Sequence, residues 1–178
     1  MITAEGIRLE RLADGHAAAV LAFERANREW FARSVPDRGD AYFTATGFAE
    51  RHRAILAEQA DGACHFHLVL DGAGRIVGRV NLVDAVDGSA ELGYRVGESA
   101  AGRGVARAAV RLVCELASGS YGLTALTAVT TLDNAASRAV LARTGFTGTG
   151  AVDLGGRPGL AYRRVLRAGV STATATGQ

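Results

Sequence analysis

The chain has 178 residues, a net charge of +2 and a hydrophobic fraction of 48%, values that fit one globular domain with a buried core. No apolar run is long enough to span a membrane, and the N-terminus lacks the basic-then-apolar layout of a signal peptide, so we expect a cytoplasmic protein with no membrane partner. The 20 Lys and Arg residues are all arginine and form no block, which argues against nucleic-acid binding, and the absence of lysine excludes a P-loop.

The first 62 residues predict one strand and two helices. Apolar and charged residues alternate over Ile7–Leu12, as in a half-buried strand. Asp14 is placed to cap a helix that continues to about Arg28, and helical spacing of apolar residues predicts a second helix at Phe43–Gln59. The loop predicted between these helices contains Trp30, Phe31 and Pro36.

The remainder predicts three hairpin-linked strands, a β–α–β crossover and a closing hairpin. Turn residues at 71–74 and 87–88 separate the first strands. The overall order is βααβββαβαββ, an α+β (mixed α/β) class with a mixed, mostly antiparallel sheet. We expect one domain at residues 1–167 and a disordered tail of small, polar residues at 168–178. The predicted elements are strands His65–Leu70, Arg75–Val83 and Ala90–Val96, helix Gly104–Ala117, strand Leu123–Thr130, helix Asn134–Arg143, and strands Phe146–Asp153 and Leu160–Leu166.

A short glycine-bearing loop, residues 100–104, separates a predicted strand from the helix Gly104–Ala117. The first turn of a helix has N–H groups without intrahelical partners, and the helix dipole adds positive charge there. Glycine allows an anion to approach the backbone closely. The loop therefore predicts a phosphate site and a phosphorylated cofactor.

Two motifs resemble those of the GNAT superfamily of N-acetyltransferases. Residues 101–106 are similar to the family's pyrophosphate motif Q/R-x-x-G-x-G/A, and residues 134–146 are similar to its N-x-x-S-x-x-x-x-x-K/R-x-G-F helix and turn. The resemblance extends from Ile7 to Leu166 and implies a three-layer α/β/α fold with acetyl-CoA as cofactor. The start of the chain and residues 91–94 are further similar to the RimJ/RimL branch, which acetylates the N-terminal amine of ribosomal proteins.

The resemblance also implies which residues hold the cofactor. Backbone near Val96 would pair with the pantetheine arm as an added strand, Asn134 would bond the same arm, and Ser137 would approach the cofactor or protonate its leaving thiolate. Helix capping is the alternative for Asn134 and Ser137. The pyrophosphate would be held by the motif Ala101, Gly102, Arg103, Gly104, Val105 and Ala106.

Glu91 is the candidate general base. It lies on a predicted central strand, where burial would raise the pKa of its carboxyl group and suit it to accept a proton at neutral pH, directly or through a water. The alternative is a structural ion pair with Arg79 or Arg95. Trp30, Phe31 and Tyr94 are candidates for the acceptor groove, with core or sheet packing as the alternative.

Two positions depart from the family pattern. Ala101 stands where the pyrophosphate motif has Gln or Arg, so we expect weaker cofactor binding. Leu141 stands where many relatives have the tyrosine that protonates the thiolate, so that residue cannot do so here.

The predicted activity is acetyl transfer from acetyl-CoA to a primary amine, with a protein N-terminus as the first candidate. Cys64 and Cys114 lie in no nucleophile-like setting, so we expect direct attack in a ternary complex. One alternative acceptor is an aminoglycoside or polyamine, which would need an acidic groove built from Glu29, Asp37 and Asp40. Another alternative is a non-catalytic module that senses CoA or binds a partner. A homodimer is compatible with the sequence, which specifies no interface and no metal site.

Overall fold

The computed structural model describes residues 2–4 and 6–166 of the chain. β-branched and apolar segments form eight strands that join into one sheet. The predicted tail at 168–178 lies outside the described residues. The strands are β1 Ile2–Ala4, β2 Ile7–Arg11, β3 His65–Asp71, β4 Ile76–Val86, β5 Ser89–Val96, β6 Ala125–Thr131, β7 Thr147–Asp153 and β8 Pro158–Val165.

Five α-helices cover this sheet, and their positions correct the predicted start of the chain. Trp30 and Phe31 do not lie in a loop, because they belong to a short helix. Asp14 lies in a 3₁₀ turn and does not cap the helix that follows, whereas Thr44 does cap its helix by accepting a hydrogen bond from the Gly47 N–H. The helices are α1 Ala17–Ala26, α2 Arg28–Ala32, α3 Ala45–Ala60, α4 Val105–Gly119 and α5 Ala135–Arg143.

The strand order in the sheet is β1-β2-β3-β4-β5-β6-β8-β7. All neighbouring strands are antiparallel except β5 and β6, which are parallel and joined through α4. The mixed sheet with one β–α–β crossover was predicted, and the structure confirms it. The short strand β1 was not predicted, because three residues are too few for a periodic pattern.

Two apolar clusters cover the two faces of the sheet and give the three-layer architecture. One cluster joins α4 and Leu141 of α5 to alternate residues of the central strands. The other joins α1 and α3 to the opposite side of β3. Within the described part of the chain, no helix combines the length and the apolar run needed to cross a membrane.

Strands β5 and β6 pair over three positions only, ending at Glu91 opposite Thr127. Beyond this pair the described residues contain no further pairing between them, so the sheet opens into a V. This opening places the end of β5, the start of α4 and the start of α5 around one space.

Candidate active site

The V between β5 and β6 opens a cleft with a cavity volume of about 660 Å³. Its walls come from α2, the end of β5, the loop before α4 and the first turns of α4 and α5. The candidate catalytic, cofactor-binding and acceptor residues all line this cleft except Glu91, whereas the acids considered for a polyamine groove, Glu29, Asp37 and Asp40, do not. The lining candidates are Trp30, Phe31, Tyr94, Val96, Ala101, Gly102, Arg103, Gly104, Val105, Ala106, Asn134 and Ser137.

The loop before α4 opens backbone N–H groups into the cleft. Gly102 and Gly104 have φ of +73° and +80°, which side chains with a Cβ adopt only with strain. A Cβ at either glycine would meet nothing within 4 Å, so the space on this side is open. Gly104 is the N-cap of α4, so the N–H groups of the first helical turn have no intrahelical partner. This arrangement can hold an anion.

The free edge of β5 forms a second wall. The Gly97 N–H donates to the Val77 carbonyl across to β4, and antiparallel pairing alternates direction along a strand, so the N–H and C=O of Val96 and Tyr94 point into the cleft. The Val96 carbonyl accepts a hydrogen bond from Trp30 Nε1 at 3.0 Å. The edge predicted to receive a ligand at Val96 is therefore already used by Trp30 at its carbonyl.

Asn134 and Ser137 meet in the third wall. Asn134 is the N-cap of α5, and its Oδ1 accepts the Ser137 N–H at 3.0 Å. Asn134 therefore does cap α5, which was the alternative considered for it, and the side chains of Asn134 and Ser137 also line the cleft. The Asn134 side-chain nitrogen has no partner among the described residues, which leaves its donors for a ligand.

The sequence profile described as "Acetyltransferase (GNAT) domain" matches residues 7–147. The chain belongs to the GNAT family. The acetyltransferase character and the cofactor predicted from the two motifs, acetyl-CoA, follow from this membership. No protein of curated function matches the chain by sequence.

Three solved structures show the same GNAT fold. Ribosomal-protein-S5-alanine acetyltransferase from Vibrio fischeri has 19% identity and a TM-score of 0.86, covering 93% of this chain and 96% of that one. RimJ from Mycobacterium smegmatis, with CoA-disulfide, has 23% identity and a TM-score of 0.81, covering 89% and 81%. The ribosomal L7/L12 α-N-protein acetyltransferase RimL, with coenzyme A, has 19% identity and a TM-score of 0.83, covering 93% and 97%. These likenesses establish the fold.

Two hydroxyl groups meet in the wall of the cleft, one from β5 and one from α5. The Tyr94 hydroxyl lies 2.9 Å from Ser137 Oγ and also donates to the Ser137 carbonyl at 3.3 Å. Burial raises the pKa of Tyr94, opposed by its bond to Ser137, so the phenol is protonated at neutral pH. Leu141, whose side chain has no hydroxyl, is 1% exposed and packs in the core.

Glu91 lies at the last β5–β6 pair and is exposed, outside the cleft lining. Alternation along β5 places its side chain on the face opposite to Tyr94. Partial desolvation, and then the charge of Asp84, raise the pKa of the Glu91 carboxyl. The alternative considered for Glu91, an ion pair with Arg79 or Arg95, is not formed, and both arginines bind another carboxylate.

That carboxylate is Glu24 of α1, which the sequence reading missed. Glu24 is 1% exposed; its Oε1 accepts from Arg79 on β4, and its Oε2 accepts from Arg95 on β5 at 3.1 Å. Burial lowers the pKa of Arg95, and the charge of Glu24 opposes this shift. The sequence does contain a signal that could have identified Glu24. It lies on the apolar stripe of α1, three positions after Leu21 and four after Val20, both of which are buried.

The cleft contains further lining residues that were not predicted, including Ser34, Arg107 and Arg143. The charged side chains that line it within the described residues are all arginine: Arg95, Arg103, Arg107 and Arg143. Arg103 and Arg107 lie four positions apart near the start of α4, a spacing that could have indicated a cationic site.

Other groups able to bind a metal or act as nucleophiles lie outside the cleft lining. His65 stacks on Tyr121 at 3.7 Å between ring centroids, and His67 Nε2 lies 2.8 Å from the Tyr121 hydroxyl. Burial lowers the pKa of His67 to about 4. Among the described residues, no three His, Cys, Asp or Glu side chains cluster as metal ligands. Cys64 and Cys114 are buried free thiols, and burial raises the pKa of each to about 11.

Proposed function

We propose that this protein transfers an acetyl group from acetyl-CoA to a protein N-terminal α-amine by direct attack in a ternary complex. The observation that carries the proposal is the cleft at the β5–β6 divergence. One end offers unpaired backbone N–H groups for phosphates, and the other end has aromatic and polar side chains for an acceptor.

The residues present fit acetyl-CoA. The open space at Gly102 and Gly104 would admit the pyrophosphate to the N–H groups of the first turn of α4, where Arg103 and Arg107 add positive charge. The N–H of Val96 and the side-chain nitrogen of Asn134 would donate to the pantetheine arm. Ala101 contributes no side-chain donor there, so the backbone supplies most of the binding.

When bound, acetyl-CoA supplies a thioester carbonyl for the amine to attack and a thiolate leaving group. Ser137 and Tyr94 would meet the leaving group, because their hydroxyls are protonated and bonded to each other in the cleft wall. Ser137 Oγ would donate its proton to the thiolate and take the proton of the Tyr94 hydroxyl, and the Tyr94 phenolate would regain a proton from solvent water in the open cleft. This pair would take the role that the family resemblance gives to a tyrosine at position 141, where this chain has leucine.

Glu91 would accept the proton of the ammonium group through a bridging water, since its side chain does not line the cleft. Its raised pKa suits a base near neutral pH. Holding the amine and the thioester close together supplies much of the rate enhancement, so the rate of acetyl transfer does not depend on this carboxylate alone.

Direct attack is supported by the state of the two thiols. Both cysteines are buried, lie outside the cleft lining, and are protonated at neutral pH. Neither provides a thiolate to carry an acetyl group. Double-reciprocal plots of the initial rate, measured at several fixed acetyl-CoA concentrations, should therefore intersect, as for a ternary complex, rather than run parallel, as for an acetyl-enzyme intermediate.

The first experiment is calorimetric titration with acetyl-CoA, followed by a screen of N-terminal peptides for acetyl transfer. Wild type is compared with Asn134→Asp and Asn134→Ala. Aspartate keeps a capping oxygen but lacks the amide donors, whereas alanine lacks both.

We expect Asn134→Asp to keep the wild-type melting temperature and to bind acetyl-CoA about tenfold more weakly, because one hydrogen bond is lost. Wild-type affinity in Asn134→Asp would leave capping as the role of this residue. Absence of acetyl-CoA binding by the wild-type protein would overturn the proposed function. Binding without transfer to any amine would favour the CoA-sensing module.

A further inference from the structure

A small recess adjoins the cleft at its acceptor end. It is formed by α1, α2 and the segment that follows α2, and it shares Phe31, Val35 and Arg95 with the cleft. An acceptor whose amine reaches the thioester would therefore extend its next groups past Arg95 toward this recess.

The carboxylates around the recess are all paired with arginine. Arg28 bonds Asp37 at 2.6 Å and Asp40 at 2.7 Å. Its guanidinium lowers the pKa of Asp37 to about 2, so this carboxylate stays ionised and paired. Glu24 is buried between two arginines at the base of the recess. The acidic groove that a polyamine or aminoglycoside would need is not formed by Asp37 and Asp40.

Arg38 is the cation without a counter-charge here. Its side chain is exposed and stacks over the Tyr42 ring at 4.8 Å, and it has no carboxylate partner among the described residues. Arg38 and Arg95 both line the recess, and the charge of Arg38 acts on Arg95. Arg28 with its two aspartates carries one net negative charge, and Glu24 with Arg79 and Arg95 carries one net positive charge. These two groups cancel, so Arg38 leaves the recess with an excess of one positive charge.

We propose that the acceptor is an acidic N-terminus, a chain whose second and third residues carry carboxylates. This inference rests on the proposed function and specifies its substrate class. Arg38 would bind these carboxylates by charge-assisted hydrogen bonds, and Arg95 would contribute its charge from the base of the recess. A polycationic acceptor would meet the excess positive charge of the recess and be repelled.

The test uses three peptides with the same first residue, Ala-Asp-Asp-Gly, Ala-Ser-Ser-Gly and Ala-Lys-Lys-Gly, together with spermidine. Acetyl transfer is measured at saturating acetyl-CoA and at low and high salt. We expect kcat/KM for the Asp peptide to exceed that for the Lys peptide by about tenfold or more at low salt, with the ratio shrinking at high salt.

Arg38→Gln is the diagnostic variant, since Arg38 makes no ion pair that folding depends on. It should reduce the Asp-to-Lys preference by about threefold to tenfold through KM, with kcat for the Ser peptide unchanged. Arg53→Gln on α3 removes the same charge from an exposed position outside both the cleft and the recess, and should leave the preference intact.

The outcomes separate the two proposals. Equal or better use of the Lys peptide or spermidine would overturn the acidic-acceptor inference and leave the acetyltransferase function standing. An Asp preference that Arg38→Gln leaves unaltered would also overturn the assignment to this recess. If no peptide is acetylated, the proposed function fails, and binding of the same peptides to the CoA-loaded protein by calorimetry then decides the charge preference.

Discussion

The two ends of the cleft differ in the groups that they present: backbone N–H groups at one end and side chains at the other. At the cofactor end, the loop around Gly102 and Gly104 presents backbone N–H groups, and its shape depends on positive φ at two glycines. At the acceptor end, side chains from α1, α2 and β5 converge, and Glu24 holds Arg95 in place. A backbone site needs only a local conformation, whereas a side-chain site needs partners distant in the chain. The first can therefore be recognised from a motif, and the second changes whenever one partner changes.

Gly104→Glu should have the largest effect, and this effect should fall on the proposed cofactor end of the cleft. The new carboxylate would lie among the N–H groups proposed to receive the pyrophosphate, so we expect acetyl-CoA affinity to fall by about a hundredfold or more. Calorimetry measures this loss. Gly62→Glu is the matched control, because Gly62 has φ of +78° and open space around its Cβ but follows α3. Equal loss of affinity in both variants would mean that backbone strain, not charge at the cradle, weakens binding.

Glu24→Gln tests the acceptor end. Removing the charge leaves Arg79 and Arg95 without a counter-ion beneath the recess, which should lower the free energy of unfolding by about 3–5 kcal/mol. Urea denaturation gives this value. Glu29→Gln, the same change at an exposed position in α2, should cost less than about 0.5 kcal/mol. If Glu24→Gln is as stable as the control, the buried cluster does not organise this end.

Tyr94→Phe tests the part of the cleft between the proposed cofactor end and the acceptor end. Loss of the hydroxyl that contacts Ser137 should lower kcat by about tenfold to a hundredfold while the affinity for acetyl-CoA stays unchanged. Tyr121→Phe removes the same atom beside His67, outside the cleft, and should retain wild-type kcat. Ser137→Ala should match Tyr94→Phe, and the double variant should add little, because the two hydroxyls act as one unit.

Glu91→Gln has the smallest expected effect. A base acts in its ionised form, so activity should rise as pH increases through the pKa of Glu91, which lies above the ordinary glutamate value. The variant should lose this acidic limb of the kcat/KM profile and show a plateau about tenfold lower. An unaltered acidic limb would show that another group titrates.

The residues predicted to bind the cofactor all line the cleft, and their binding role stays a prediction. The loop at Ala101–Ala106 and the helix start at Asn134 both depend on contacts between neighbours in the chain, so their motifs carry the geometry. Glycine spacing, a capping residue and the following apolar stripe are all local signals. The strand divergence that opens the cleft was not predicted, because it depends on pairing between β5 and β6 across the intervening helix.

The acceptor end was predicted only in outline. Trp30 and Phe31 were named for the groove but placed in a loop, because the five-residue helix α2 is too short to show periodicity. Asp37 and Asp40 were considered as groove acids, and their pairing with Arg28, nine and twelve positions away, could not be read from composition. Glu24 was missed for the same reason, since its two arginines lie 55 and 71 positions away.

Trp30 is the single tryptophan of the chain, and its indole N–H is bonded to the carbonyl of the strand edge that would receive the pantetheine arm. Indole emission depends on hydrogen bonding and on water near the ring. The chain therefore contains an intrinsic fluorescent reporter at the point where the proposed cofactor and acceptor sites meet. Cofactor loading should be visible as a change in emission intensity or wavelength without any added label, at protein concentrations far below those that calorimetry needs.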